Sequence, residues 1–482
     1  MDNRPIIVWF RQDLRLTDNV ALAKAVEAGA PIVPLYVLDD NAPGEWAPGG
    51  ASRWWLHNSL VELSGRLANL GAKLVLRRGS ATQIVPQIAR EVGARGVYFS
   101  RQYEPSATAL EVAIHTELAK VDTAIEVRRF PGALLKDPGE VRTKDGGPYK
   151  VYSPFWRALN ASGEPRKPLP APTSLTKYRG DAEGDNLGDW NLLPTKPDWS
   201  AGLRETWIPG EQGAHARLDA FLDAALTGYH DGRNRPDHES TSRLSPHLHF
   251  GEISPAAVWH TAKSWAASHG YQGKGLETFL KELVWREFSA HLLFHFPELP
   301  TEPLRTQFNA FPWRDDPEGL RAWQQGQTGF PIVDAGMRQL WHTGWMHNRV
   351  RMITASFLIK DLLIHWRAGE AWFWDTLVDA DLASNAASWQ WVAGCGADAA
   401  PYFRIFNPVT QGVKFDPDGA YVRQWVPELA RMPAKSIHAP WLASQGTLED
   451  SGVVLGETYP HPIVDHAEAR KCALAGYELV KA

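Results

Sequence analysis

Over the first 130 residues, short apolar runs alternate with amphipathic stretches, an order that few folds accommodate. Ile6–Phe10, Ile32–Leu38, Lys73–Arg77, Val97–Ser100 and Ala124–Arg129 are rich in β-branched and aromatic residues and read as strands. Between them, Asn19–Ala28, Ser52–Leu70, Ala81–Val92 and Ser106–Lys120 read as helices. Gly29, Gly71 and Gly93 stand at helix ends, where a left-handed residue closes the last turn. Such alternation predicts an α/β N-terminal domain built on a parallel five-stranded, Rossmann-like sheet. No GxGxxG follows the first strand, so the usual dinucleotide fingerprint is missing.

Residues 131–205 read differently. They are rich in Pro, Gly, Asp and Ser (EPRKPLPAPTS, RGDAEGDN) with little periodicity, as a long linker wrapped over a surface would be. From 206 onward the pattern turns helical, with candidates at His215–Leu226, Pro255–Ser268, Gly275–Leu293, Ile332–His342 and Trp345–His365. The predicted organisation is an α/β domain (1–130), an interdomain linker (131–205) and an all-α domain (206–482). A net charge of −5 means that nucleic-acid binding would need a local basic patch. Cys395 and Cys472 make neither a disulfide framework nor a CxxC metal site, which fits a reducing compartment. The opening MDNRPIIVWF lacks the regions of a signal peptide, and no apolar run has the length of a membrane span. The expectation is a soluble, cytoplasmic protein.

Three segments carry chemistry. Asp379–Phe415 packs Asp379, Asp381 and Asn385 among Trp389, Trp391, Tyr402, Phe403 and Phe406, with no hydrophobic helical stripe. That mixture suits a pocket for something large, flat and polar. A metal site would need a histidine or third carboxylate at suitable spacing, and none is there, so no metal is expected. In TSRLSP (Thr241–Pro246), hydroxyl residues and a proline at a helix start offer donors converging on one point, either an anion site or an ordinary capped helix. Glu282, Trp285, Arg286 and Ser289 fall on one helix face. An aromatic on a charged face suits base stacking, and an amphipathic surface helix is the plainer reading.

With WFRQDLRLTDN (Trp9–Asn19), ELVWREF (Glu282–Phe288) and WMHNRVRM (Trp345–Met352), these motifs in this order resemble the DNA photolyase/cryptochrome family from Trp9 almost to the C-terminus. The resemblance implies FAD in the helical domain. It places Thr241, Ser242, Leu244 and Ser245, with Arg243 among them, at the FAD pyrophosphate, and Tyr229 in the same pocket. It puts Phe279, Arg286, Arg351, Asp379, Ala380, Asp381 and Asn385 around the cofactor, with Arg351 and Asp379 paired against the isoalloxazine and Asn385 near its N5. Phe279 stands where many relatives have Trp. By the same resemblance Trp285 stacks on a flipped thymine dimer, and Glu282 hydrogen-bonds its base edge. Asn348 and Met352 stand where (6-4) enzymes carry histidines, which points to the cyclobutane dimer instead. Asn385, where plant cryptochromes carry Asp and animal ones commonly Cys, favours a repair enzyme working with reduced FADH⁻. Trp389, Trp366 and Trp313 match the family's electron relay to photoexcited oxidised flavin.

DNA contacts are carried over to Arg233, Glu282, Trp285, Ser289, Asn348, Arg349 and Gln411, with Arg235, Arg286, Lys414 and Arg423 as further basic candidates. Phosphate contacts of this kind are salt-dependent and blind to sequence. The expected activity is light-driven splitting of a cyclobutane pyrimidine dimer in UV-damaged DNA by a monomer. A cryptochrome-like photoreceptor is the alternative, and the lack of a long extension after Leu479 weighs against it. One departure concerns the antenna chromophore. Ser106 and Ala107, in YEPSATALE, replace the Asn-Glu pair that holds methenyltetrahydrofolate in well-studied bacterial relatives. A differently built folate site is preferred, with a deazaflavin or no antenna remaining open.

Overall fold

The computed structural model describes residues 3–398 and 403–481, so Tyr402 of the expected pocket lies outside the described residues. Its five strands are β1 (Ile6–Phe10), β2 (Ile32–Leu38), β3 (Val75–Arg78), β4 (Gly96–Ser100) and β5 (Glu126–Phe130), all parallel in the order β3-β2-β1-β4-β5. β1 reads IIVWF and is buried along its length, as a central parallel strand covered on both faces must be. The crossovers are α1 (Val20–Glu27), α2 (Gly50–Asn69), α3 (Ala81–Val92) and α4 (Pro105–Val121). Asn19 starts α1 by accepting the Leu22 N–H at 2.9 Å. Ile7, Trp9, Leu35 and Phe99 from the strands pack against Val85, Ile88, Ile114 and Leu118. β5, at the edge, turns Glu126, Arg128 and Arg129 to solvent, which discourages pairing with another chain.

Two expectations need correction. The stretch 131–205 is not without periodic structure. Tyr152–Ala161 forms α5, which buries Tyr152, Phe155 and Leu159 at helical spacing, and Leu187–Trp190 adds a 3₁₀ turn. The single helix expected over Trp345–His365 is instead Asn348–Ser356 followed by a π-helical stretch, Phe357–Asp361. Side-chain caps explain both limits. His347 accepts the Arg349 N–H at 3.1 Å and opens the first helix, while His365 accepts the Arg367 N–H at 3.1 Å and opens the next, Trp366–Thr376. A residue capping a new helix cannot lie inside the old one. Between them Leu363 takes a left-handed φ of 58°.

The chain divides into two compact units. The first comprises Met1–Thr227, Ser242–Pro297 and Val378–Ala383, and the second Gly228–Thr241, Glu298–Leu377 and Ser384–Ala482. In the first, Lys274–His295 forms a helix of 22 residues. The helix Leu382–Ala393, which lies in the second unit from Ser384 on, is buried nearly all round, from Leu382 through Ala386 and Trp389 to Ala393, which is why the sequence shows no stripe there. No described helix is long and apolar enough to cross a membrane.

Candidate cofactor and nucleic-acid site

In the first unit, the TSRLSP motif runs through a sharp turn rather than a long helix. Arg243 sits at φ 49°, a left-handed conformation unusual for arginine, and Leu244 then caps the short helix Ser245–His249. The Ser242 hydroxyl accepts the Leu244 N–H at 3.4 Å. Leu244 is buried, Ser242 and Arg243 are half-buried, and Ser245 is exposed. Downstream, His247 is fixed against Glu252 at 2.5 Å, and Glu252 also accepts the Trp55 indole N–H at 2.8 Å. His249 is buried, and its Nδ1 has no hydrogen-bond partner, standing 3.7 Å from Asp381. Asp379 and Ala380 are buried, while Asp381 is partly exposed. Glu104 lies beside this group, its carboxyl held above the usual carboxylate range by desolvation first and then by the charge of Asp381. Gln12, Glu104, Arg286 and Asp381 line one cavity. A buried, unpartnered imidazole nitrogen beside carboxylates is a polar surface that wants a ligand, so these residues fit a bulky polar cofactor.

The Lys274–His295 helix presents the lesion-side residues. Glu282, Trp285 and Arg286 are half-buried, and Phe279 is buried 4.7 Å from Phe221, ring to ring. Trp285 is covered on one face by Tyr152, stacked at 3.6 Å and within 6° of parallel. The Tyr152 hydroxyl donates to the Lys281 carbonyl at 2.6 Å, which locks the pair to the helix. Nothing in the sequence reading foresaw Tyr152. The signal was there, since Tyr152, Phe155 and Leu159 form a stripe, but the surrounding prolines and glycines masked it. Arg286 is occupied with the Ala133 carbonyl at 2.7 Å and the Leu248 carbonyl at 3.4 Å. Ser289 is buried, and its hydroxyl donates to the Trp285 carbonyl at 3.1 Å. On the other side of the helix, Glu287 is pushed up to about 7 by burial, although it accepts N–H groups from Leu135 and Lys136.

In the second unit the basic residues gather. Arg349 donates to Asn234 Oδ1 at 2.6 Å and lies 4.4 Å over Phe415, and the Lys414 amine lies 5.1 Å over the same ring. Its guanidinium is held below the ordinary arginine value by burial first, then by the positive charges of Arg233 and Arg404. An anion beside these guanidinium groups would relieve their repulsion. Asn348 is exposed, and Arg233, Arg351, Met352 and Gln411 are half-buried. Arg351 donates to the Met346 carbonyl at 2.8 Å. Tyr229 is buried and Thr241 half-buried. Arg235 pairs with Asp237 at 2.5 Å, and Arg423 donates to the Asp418, Ala430 and Met432 carbonyls.

The three relay tryptophans also lie in this unit. Trp389 and Trp366 are buried, and Trp313 is half-buried. Gly369, one turn beyond Trp366, allows Trp389 to lie against the helix backbone, and a Cβ built there would overlap the indole. Asn385 is buried, with its amide N–H donating to the Glu370 carbonyl at 3.1 Å, so the carboxamide has a fixed orientation. Among the described residues no group of His, Cys, Asp and Glu could hold a metal ion.

The chain matches the family model "DNA photolyase" over residues 6–173 and "FAD binding domain of DNA photolyase" over residues 279–479. It is 55% identical to a deoxyribodipyrimidine photo-lyase of Agrobacterium fabrum, over 99% of this chain and 98% of that one. It is 39% identical to cryptochrome-1 of Arabidopsis thaliana, over 96% of this chain and 69% of that one. Among solved structures it superposes on a bacterial class III photolyase from Agrobacterium tumefaciens with a TM-score of 0.96 and 54% identity, covering 100% of this chain and 98% of that one. The chain belongs to the DNA photolyase family, with FAD as its cofactor.

Proposed function

We propose that this protein is a light-driven cyclobutane pyrimidine dimer photolyase acting on UV-damaged DNA. The observation that carries the reading is Trp285. In a chain of this family it is an indole pinned from behind by Tyr152, on the helix that also carries Glu282 one turn away. When bound, reduced FAD supplies the light-driven electron, and the rest of the work is positioning. Trp285 takes a pyrimidine pair that has left the duplex on the face away from Tyr152, with stacking worth about 1–3 kcal/mol per base. Glu282 hydrogen-bonds the base edge. Neither Asn348 nor Met352 can donate a proton as an acid, which suits a dimer whose splitting needs none.

Tyr229, Thr241, Ser242, Arg243, Leu244 and Ser245 hold the FAD phosphates. Phe279, Arg286, Arg351, Asp379, Ala380 and Asp381 enclose the cofactor, with Asn385 presenting its amide to the flavin edge. Trp313, Trp366 and Trp389 reduce oxidised FAD in light. Arg233, Arg349 and Gln411 contact DNA phosphates, so binding weakens steeply with salt. Residues 1–130 would carry an antenna, a folate in a site not built on Ser106 and Ala107. The protein works as a cytoplasmic monomer, with 131–205 linking the two functional domains.

The test is repair of a defined thymine dimer in an oligonucleotide by reduced protein, in blue light and in darkness. Light-dependent return of two thymines is expected. Protein that holds reduced FAD and photoreduces normally yet repairs nothing would overturn the reading in favour of a photoreceptor.

A further inference from the structure

Between the two outer relay tryptophans lies a ring that no sequence motif marks out. The His365 imidazole is 5.0 Å from the Trp313 ring, edge to face, and 5.4 Å from the Trp366 ring, nearly stacked at 30°. We infer that His365 is a positioning residue of the electron relay: as neutral imidazole it packs between Trp313 and Trp366, and as imidazolium it opposes a positive charge on either ring. The inference rests on the relay reading of the three tryptophans.

Geometry sets the state of the ring. His365 Nδ1 accepts the Arg367 N–H at 3.1 Å and so caps the Trp366–Thr376 helix. That bond uses the Nδ1 lone pair, which assigns the single ring hydrogen to Nε2. A second proton enters only at Nδ1, and it breaks the cap. Burial first, and then the charge of Arg367, hold the imidazole below the ordinary histidine range. From the Trp313 side, Arg314 bonds through its backbone N–H to the Leu363 carbonyl at 2.8 Å. The ring is therefore neutral at neutral pH.

The relay moves electrons only. With FAD bound, Trp389 would supply one electron to it in light, Trp366 would refill Trp389, and Trp313 would refill Trp366. No heavy-atom bond forms or breaks, Trp313 ends one electron short, and an added thiol reductant restores it. During the last two hops a positive indole stands beside His365. A charged imidazole at that distance opposes both states by direct repulsion, and the half-buried setting screens it poorly.

The experiment measures photoreduction of the oxidised holoprotein under a fixed thiol concentration from about pH 8 to about pH 5, in the wild type and in His365→Asn, which keeps a capping oxygen but does not titrate. Transient absorption of the tryptophan radical is followed in parallel, with melting temperature and FAD content checked at each pH. The wild type slows as the pH falls below the ordinary histidine value, while the variant changes by less than about twofold across the range. If His365→Asn loses FAD, His365→Ser, another capping residue, replaces it. A parallel fall in wild type and variant overturns the inference. Trp389→Phe separates the two readings: if it still photoreduces, the relay itself is wrong, whereas its loss together with that parallel fall removes His365 alone.

Discussion

Trp285 and Trp389 carry the same side chain into opposite surroundings. Trp285 is half-buried, with Tyr152 stacked on one face at 3.6 Å. Trp389 is 2% exposed, with Phe373 and Trp323 at 5.0 and 6.2 Å and Gly369 beneath it. An indole offers a wide π-face and a readily removed electron, and the surroundings decide which of the two is used. An open face can accept a base, while a ring packed on all sides can only exchange an electron with its neighbours. The difference teaches that the role of a tryptophan here is set by what covers it.

The comparison can be broken in three places. Trp389→Phe should lower photoreduction of oxidised protein by at least about a hundredfold, because phenyl is far harder to oxidise and two short hops merge into one long one; repair by chemically reduced protein should be largely intact. Equal loss of both activities, measured on protein of equal FAD content, would end the division of roles. Trp285→Ala should act the other way round. Photoreduction should persist while affinity for dimer-containing DNA drops about fivefold to about 150-fold, matching about 1–3 kcal/mol of stacking. Titration of a labelled dimer oligonucleotide checks this, and unchanged affinity would take Trp285 out of the site. Gly369→Ala sharpens the contrast, because its extra methyl pushes on Trp389 and on Leu358 beside it. Thermal unfolding should show a loss of about 1–3 kcal/mol, and photoreduction should slow as the ring shifts. Full stability would mean that the backbone gives way there without cost.

Much of the fold was legible because the sheet is written in local terms. β1 and β2 begin and end where the β-branched and aromatic runs do, and α3 ends on Gly93, at φ 63°, as its sequence position implies. The helical region was less legible at its joints. His347 and His365 stop and restart helices through side-chain caps, and an apolar pattern continuing from Trp345 to His365 hides both events. α5 is hidden because prolines and glycines dominate the composition around it, while three buried residues in a ten-residue helix make the structure. The site divides in the same way. Asn385 and Trp366 were visible as residue types, but Trp366 and the core residue Trp323, whose N–H is taken by the Thr354 carbonyl at 3.0 Å, have no local signature that separates them. His365 meets Trp313 across 52 positions of sequence, and only folding makes them neighbours.

The Tyr152–Trp285 stack has a thermodynamic consequence for selectivity. A mobile side chain gives up rotational freedom when a ligand lands on it, at a cost of about 0.5–1.5 kcal/mol. Here the indole is already immobilised, because Tyr152 lies on it and is itself tied to the Lys281 carbonyl at 2.6 Å. That entropy is lost when the chain folds and is the same for every DNA that arrives. What remains to distinguish one DNA from another at this ring is the energy each needs to unstack its own bases, so damaged and intact strands are told apart by their own pliability.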